Sequence, residues 1–212
     1  MSNLFEPLRL RGVTLPNRIA MSPMCTYSAG PDGRPGAWHL VHLGARACGG
    51  AGLILAEATA VEPRGRISPR DCGLWEDAQI DAWRPIVDFL RGQGTVPGLQ
   101  LAHAGRKAST RPTPDGRGPL AEEDGGWPTV APSAEPFAPG YPAPRALEAA
   151  ELPELAARWV DAARRATEAG FEALELCIAD TGVLNVTTTE KECTAIRKAA
   201  DASGLVVDSV AS

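Results

Sequence analysis

The stretch from Gly52 to His103 decides the fold class, because short apolar runs alternate in it with a segment of helical periodicity. It opens with the apolar run GLILAE at residues 52–57 and closes with PGLQLAH at residues 97–103. Between them, large apolar side chains recur at helical spacing: Trp83, Ile86, Val87 and Leu90. Buried strands that alternate with amphipathic helices are typical of a parallel sheet with helical crossovers. The sequence therefore predicts an α/β fold.

The same alternation continues on both sides of this stretch. We expect five strands, at Arg18–Met21, Gly52–Glu57, Pro97–His103, Phe171–Cys177 and Leu205–Ala211. We expect four helices: Trp38–Ala47, Asp77 as the N-cap to Gly92, Leu152 to Gly170, and a capping box at Thr189 and Glu192 leading to Ser203. Nine of the 19 prolines lie between Ala104 and Ala150, which predicts a long loop placed over a site.

These elements make four to five βα units, whereas a closed barrel of such units has eight strands and about 250 residues. The expected architecture is a partial (β/α)8 TIM barrel that does not close within this chain. An open sheet leaves edge strands with unpaired backbone groups, so a homo-oligomer is a possible partner state.

Composition excludes several function classes. The net charge is -5 and the pI is near 5.3, and no basic run interleaves with aromatics, which argues against nucleic acid as a partner. Five scattered cysteines without a CxxC pair argue against structural zinc and for a reducing, cytoplasmic compartment. No apolar stretch reaches the length of a membrane span, so no membrane partner is expected.

In a β/α barrel, chemistry sits at the carboxyl ends of the strands and in the loops after them. Those positions hold candidate site residues: Ser22, Pro23, Met24, Cys25, Tyr27, Glu57, Ala58, Gln100, His103, Arg106, Lys107, Cys177 and Asp180. A lone strand-end cysteine is more often a small buried apolar residue than a redox-active thiol. Glu57 can be interpreted as an ordinary carboxylate at the mouth of the barrel. Arg106 and Lys107 can be interpreted as a solvated pair in a loop, or as side chains that contact an anionic ring edge or a pyridine nucleotide.

His39 and His42 share a helix face at i,i+3, a spacing that suits a metal site. Neither a carboxylate nor a third ligand stands near them in the sequence. Packing or a structural hydrogen bond is therefore the favoured interpretation, and no metal site is predicted.

Three segments carry a specific resemblance: NRIAMSPMCTYS at residues 17–28, LAEATAV at 55–61 followed by PRGRIS at 63–68, and GLQLAHAGRKA at 98–108. With this order and spacing, the chain from about Leu4 to about Leu176 resembles the Old Yellow Enzyme family, in its cysteine-bearing, thermophilic-like branch. The resemblance implies an FMN-dependent oxidoreductase of the ene-reductase type. NAD(P)H would be the reductant and an activated alkene or another small molecule the acceptor.

The resemblance also implies roles for individual residues. Ser22, Pro23, Met24 and Cys25 would line the isoalloxazine ring, and Cys25 would tune its redox potential. Tyr27 would lie on the substrate side, Ala58 would offer its backbone to the ring, and Gln100 would hydrogen-bond the pyrimidine edge. Cys25 and Tyr27 are thus the expected catalytic residues. In such enzymes the cofactor supplies the hydride chemistry and the protein orients and tunes it.

Beyond Leu176 the chain departs from the family pattern. Cys177, Asp180 and Gly182 stand where the family has a histidine pair, or a histidine and an asparagine, that holds the substrate oxygen, and a tyrosine that supplies a proton. The tail resembles the opening βα units of sugar-phosphate isomerase and epimerase barrels. We therefore expect residues 1–176 to be the N-terminal part of an FMN-binding barrel and residues 177–212 to be a divergent βα tail.

Three functions follow, of which the third, an isomerase-like sugar enzyme, rests on the tail alone. The first is an NAD(P)H oxidoreductase whose turnover is impaired by the replaced donors and the missing strands. The alternative is a non-catalytic remnant, or a half barrel that assembles with another copy. Binding of FMN distinguishes the first two.

Overall fold

The computed structural model describes residues 3–177 and 206–211. Its strands are β1 (Leu8–Leu10), β2 (Val13–Leu15), β3 (Ala20–Met21), β4 (Leu53–Ala60), β5 (Val96–Ala102), β6 (Val130–Ala131), β7 (Arg145–Ala146), β8 (Ala173–Cys177) and β9 (Val206–Ala211). Its α-helices are α1 (Ala37–Cys48), α2 (Asp77–Gly92) and α3 (Leu152–Ala169).

Five of these strands form one parallel sheet in the order β3-β4-β5-β8-β9. The order of the strands in this sheet is their order along the chain, as in the first units of a β/α barrel. Within the described residues the sheet is open, with β3 and β9 at its edges. The predicted α/β class, the partial barrel and the five strands are confirmed, although the first strand is shorter than expected.

The helices cover one face of the sheet and form the main core with it. Apolar side chains from α1, α2 and α3 pack with those of β4, β5 and β8 that point the same way. Trp83 of α2 is the largest fully buried side chain of this core. Its ring contacts His39 and Phe171 edge-on, with centroids 6.1 and 5.4 Å away. Aromatic pairs in this geometry add to the stabilisation from buried area.

A hairpin that the sequence did not predict covers part of the other face. Strands β1 and β2 pair antiparallel, and Leu15 packs with Leu53, Val96 and Ala173 near the amino ends of the sheet strands. This second, smaller cluster closes the bottom of the barrel interior.

The start of α2 differs from the expected one. Glu76 is the N-cap residue and Asp77 is the first helical residue, so the expectation that Asp77 caps the helix is wrong. The side chain of Gln79 explains the shift, because its Oε1 accepts hydrogen bonds from the backbone of Trp75 and Glu76. The predicted end of α3 is confirmed, since Gly170 follows the helix at φ 101°.

The segment between β5 and α3 contains only two-residue strands and 3-10 turns, in agreement with its proline content. No helix in the described ranges has both the length and the apolar character needed to cross a membrane. The predicted helix from Thr189 to Ser203, as well as Asp180 and Gly182, lies outside the described residues.

Candidate functional site

The loops after β3, β4 and β5 meet at the carboxyl edge of the sheet. Strands β4 and β5 are in register at Ala56 with Leu99 and again at Thr59 with Leu101, and a bulge lies between these two pairs. Ala58 and Gln100 therefore lie at the same level on adjacent strands. Bulges of this kind redirect side chains next to active sites.

Cys25 lies against the end of β4. The Ala58 backbone hydrogen-bonds the Cys25 thiol, which joins the loop after β3 to the loop after β4. Burial, followed by the carboxylates of Asp71 and Glu57, raises the pKa of Cys25 to about 12. The Lys107 ammonium and the Ala58 hydrogen bond oppose this shift. At neutral pH Cys25 is therefore a protonated thiol and not a thiolate.

The other residues expected in the first loop differ in placement. Ser22 and Met24 are exposed and Pro23 is half-buried. Tyr27 has a left-handed backbone with φ 54°, and its hydroxyl accepts a hydrogen bond of 3.0 Å from Thr113 Oγ1. Tyr27 thus contacts the proline-rich segment after β5, which reaches back over this edge of the sheet.

Gln100 is held by the next strand. Its Nε2 donates a hydrogen bond of 2.5 Å to Glu175 Oε1, in register across β5 and β8. A carboxylate only accepts, so this contact fixes the amide nitrogen towards Glu175 and turns the amide oxygen away from it. The structure therefore brings Cys25, Ala58 and Gln100 to one edge, and Glu175 orients the amide.

Glu57 is 4% exposed and lies at the centre of a buried polar cluster. Its Oε1 accepts from His39 Nε2 at 2.8 Å and from Thr26 Oγ1 at 2.9 Å, while its Oε2 accepts from Thr26 N at 2.7 Å. The thiol of Cys72 lies 3.3 Å from His39 Nε2. The sequence offered Glu57 as an ordinary carboxylate, and the only signal for this cluster was an acidic residue at the end of an apolar strand.

His39, Glu57 and Cys72 have their ligand atoms within 4.8 Å of one another, a spacing that a metal ion would tolerate. Without a metal, hydrogen bonds join these side chains. His39 Nδ1 accepts from the backbone N–H of Gly36 at 3.0 Å, so the ring proton resides on Nε2, which donates to Glu57. In this state His39, Glu57 and Cys72 form a hydrogen-bonded network.

His42 does not share the environment of His39. Its ring stacks on Trp38 with centroids 5.6 Å apart, and its Nε2 is buried without a hydrogen-bond partner among the described residues. Burial and the nearby Arg46 lower the pKa of His42, so its ring is neutral at pH 7. In the structure, His39 thus hydrogen-bonds Glu57 and His42 stacks on Trp38.

Lys107 and Cys177 lie near the same edge. The positive charge of the Lys107 ammonium lowers the pKa of both Cys25 and Cys177. Its Nζ also lies 5.8 Å from the centre of the Phe137 ring. At Cys177, burial and the carboxylate of Glu175 outweigh the effect of Lys107 and raise the pKa of the thiol. His103 and Arg106 point elsewhere, to Glu62 and Glu135.

Asp71 is a buried carboxyl group behind Cys25. Burial raises its pKa from 3.8 to about 6, although hydrogen bonds from Ser68 and Ile67 oppose the shift. Between these pH values the folded state binds the proton that the unfolded state has lost, so stability falls as pH rises from about 4 to about 6. At about 1.4 kcal/mol for each pH unit, the loss is on the order of 2–3 kcal/mol.

We therefore predict that Asp71→Asn removes this pH dependence. Asparagine fits the site, because its oxygen can accept from the amides of Ile67 and Ser68 while its nitrogen donates to the Ser68 hydroxyl. Urea unfolding at several pH values should show the variant gaining stability relative to the wild type as pH rises from about 4 to about 6. A difference between the two proteins that is constant over this range would contradict the assignment.

Comparison with known proteins agrees with this geometry. The sequence model of the NADH:flavin oxidoreductase / NADH oxidase family matches residues 3–185. A NADH:flavin oxidoreductase of Gibberella zeae is 45% identical over 179 residues, which are 82% of this chain and 43% of the relative. An NADPH dehydrogenase of a Geobacillus species is 43% identical over 174 residues, which are 82% of this chain and 47% of the relative. The chain thus spans about half the length of these curated relatives.

Solved structures show the same fold. Morphinone reductase superposes with a TM-score of 0.77 at 30% identity, over 96% of this chain and 60% of that one. The Old Yellow Enzyme homologue from Zymomonas mobilis gives 0.78 at 27% identity, over 96% and 61%. The boundary at residue 176 and the isomerase-like tail stay predictions. Over most of its length, the chain belongs to the NADH:flavin oxidoreductase / NADH oxidase family of oxidoreductases and has the fold of Old Yellow Enzyme.

Proposed function

We propose that this chain binds FMN and acts as an NAD(P)H oxidoreductase. The observation that carries the proposal is the convergence of the Cys25 thiol, the Ala58 backbone and the Gln100 amide at one edge of the parallel sheet. Ligands of β/α barrels bind at this edge. Relatives that are named NADPH dehydrogenase and NADH:flavin oxidoreductase support both the cofactor and the reductant.

The residues present fit a flavin. The pyrimidine edge of the ring offers both N–H donors and carbonyl acceptors, and the Gln100 amide oxygen, turned away from Glu175, can accept from such an N–H. Ala58 adds little bulk, so a flat ring can approach the backbone at the end of β4. The neutral Cys25 thiol adds a weak donor without a charge that would oppose electron transfer to the ring.

When bound, FMN would supply the hydride chemistry, accepting hydride from NAD(P)H and passing it to an acceptor. The chain's own residues would prepare the site for it. Cys25 keeps its proton at neutral pH, Lys107 contributes positive charge beside the two thiols, and Tyr27 holds its hydroxyl by Thr113 at the rim. Gln100 fixes the ring orientation through an amide that Glu175 has already oriented.

For the acceptor we propose a small activated alkene, reduced slowly. Cys177 occupies the position at which the resemblance expects a histidine donor, and burial keeps its thiol protonated. A thiol is a weak donor, and loss of one strong donor to a developing oxyanion costs roughly 10²–10³ in rate. Oxygen should therefore compete with alkenes for the reduced flavin. We place the reaction in the cytoplasm, because the four cysteines in the described residues are free thiols.

A second candidate is a half barrel that assembles with another copy of itself. The open edges of the described sheet and the exposed Trp38 and Val41 side chains on α1 favour it. A dimer in light scattering that neither binds FMN nor oxidises NADPH would support this candidate over the oxidoreductase.

The oxidoreductase is tested by reduction of the bound flavin. Purified protein loaded with FMN should be yellow and should lose its absorbance near 450 nm when NADPH is added without oxygen. Gln100→Leu removes the amide that holds the ring, and loss of such hydrogen bonds should weaken FMN binding by roughly tenfold to a hundredfold. Colourless protein after loading, with no quenching of FMN fluorescence, would contradict the proposal.

A further inference from the structure

The buried carboxylate of Glu57 has no role in the proposed flavin chemistry, although isolating a charge from water is costly. Four hydrogen bonds compensate for this burial, two of them from Thr26, one from His39 and a weaker one of 3.8 Å from the Cys72 thiol. Both donors of Thr26, its backbone N–H and its hydroxyl, end on this one group. Thr26 lies between Cys25 and Tyr27, the two residues expected to act at the flavin.

The network requires a carboxylate. Every group that hydrogen-bonds Glu57 is a donor: Thr26 N, Thr26 Oγ1, the N–H of His39 Nε2 and the Cys72 thiol. Glutamine has the same shape but only one acceptor oxygen, so its NH2 would face either the Thr26 N–H or the His39 N–H. The other tautomer of His39 would not help, because its Nδ1–H would then oppose the N–H of Gly36.

The held turn is strained. Tyr27 has φ 54°, in the left-handed region that is unfavourable for a residue other than glycine. Such a conformation persists only where neighbouring contacts fix it. The Glu57 bonds fix the residue before Tyr27, and Ser28 Oγ fixes the same residue from the other side by donating to Thr26 O at 2.9 Å.

The bulge in β4 connects this turn to the flavin edge, by which we mean the sheet edge at Cys25, Ala58 and Gln100. It lies between Ala56 and Thr59, so that Glu57 reaches Thr26 and His39 while the next residue, Ala58, hydrogen-bonds Cys25 through its backbone. Two consecutive residues of β4 therefore hold two consecutive residues of the loop after β3. The position of the thiol relative to Ala58 depends on both contacts.

We propose that Glu57 is a positioning residue, which holds the Cys25–Tyr27 turn against the end of β4 and so sets where the thiol and the phenol lie at the flavin edge. The geometric claim concerns the chain alone, and only its consequence for the cofactor rests on the proposed function. The two parts can therefore fail separately.

The geometric claim is tested without FMN, by amide hydrogen exchange of the peptide that contains residues 22–28. We expect Glu57→Gln to raise exchange at Thr26 by at least roughly tenfold, because its N–H loses its acceptor. Asp71→Asn is the matched control: it also removes a buried carboxylate that raises the pKa of Cys25, yet asparagine satisfies its site. Folded Glu57→Gln protein with wild-type exchange at Thr26 would overturn the proposal.

A variant that keeps every charge distinguishes the position of the Cys25 thiol from the electrostatic effect of Glu57 on it. Thr26→Val removes the hydroxyl donor, keeps the backbone N–H and leaves the Glu57 charge in place, and it carries the test if Glu57→Gln does not fold. We expect alkylation of Cys25 to accelerate several-fold in Thr26→Val, while exposed Cys48 reacts as in the wild type. Asp71 and Lys107, the other charges acting on Cys25, are unchanged. An unaltered Cys25 rate together with unaltered exchange would overturn the proposal.

With FMN loaded, Glu57→Gln should also change the visible spectrum of the bound flavin more than Asp71→Asn does. If the wild type binds no FMN but Thr26 exchange responds as expected, the positioning role stands and the oxidoreductase proposal fails. If FMN binds and its spectrum is the same in wild type and Glu57→Gln, the positioning role at the cofactor is wrong.

Discussion

Trp83→Ala should destabilise the protein by about 3–5 kcal/mol, the usual loss when a large aromatic side chain is removed from a core. Trp83 is fully buried, and its ring lies between the ring of His39 and that of Phe171. The cavity would open between α2, α1 and the start of β8, where the helix layer meets the sheet. It would also remove the support behind His39, which donates to Glu57.

Trp38→Ala is the matched control, because it makes the same chemical change on the exposed side of α1. Trp38 is 52% exposed and stacks on His42, so its loss should cost less than about 1 kcal/mol. Urea unfolding followed by far-ultraviolet circular dichroism measures both values. Equal losses in the two variants would show that Trp83 is not at the centre of the core.

Gly73→Ala should destabilise the protein by about 1–3 kcal/mol or more through overpacking. A Cβ at this position would lie 1.9 Å from a ring carbon of Trp75. That ring cannot move freely, since the Arg66 guanidinium lies 5.3 Å from its centre and is itself hydrogen-bonded to backbone carbonyls. The backbone of Gly73 is also tied to Gly33 O at 2.9 Å.

Gly92→Ala provides the contrast for this prediction. Nothing lies within 4 Å of a Cβ at position 92, at the end of α2, and alanine favours a helix over glycine by about 0.5–1 kcal/mol. The two substitutions should therefore change the melting temperature in opposite directions. A Gly73→Ala protein that melts with the wild type would mean that Trp75 and Arg66 do not confine this position.

Much of the fold could be predicted because the sheet strands are short apolar runs and the helices have a regular apolar face. Residues 52–57 and 97–103 became β4 and β5 with small changes at their ends. The β1–β2 hairpin could not be predicted, since its strands have three residues each and Arg11-Gly12 is not a sequence typical of two-residue turns. Arg11 adopts φ 49° in this turn, and no local sequence pattern predicts a left-handed backbone at an arginine.

The site could be predicted as a set of loops, but its contacts could not. Helical spacing put His39 and His42 on one face, whereas the structure directs His39 to Glu57 and stacks His42 on Trp38. The bulge that directs Glu57 towards Thr26 depends on strand register, which appears only once the strands pair. The sequence consequently named Glu57 as a strand-end carboxylate but could not show that it hydrogen-bonds Thr26 and His39.

The most direct measurement of the central claim is an FMN footprint on the cysteines. At about pH 9, alkylation of each cysteine would be followed by peptide mass spectrometry with and without saturating FMN. If the ring lies against Cys25, Ala58 and Gln100, FMN should slow Cys25 by at least roughly tenfold and leave Cys48, at the far end of α1, unchanged. Quenched FMN fluorescence with an unchanged rate at Cys25 would place the flavin elsewhere and contradict the account.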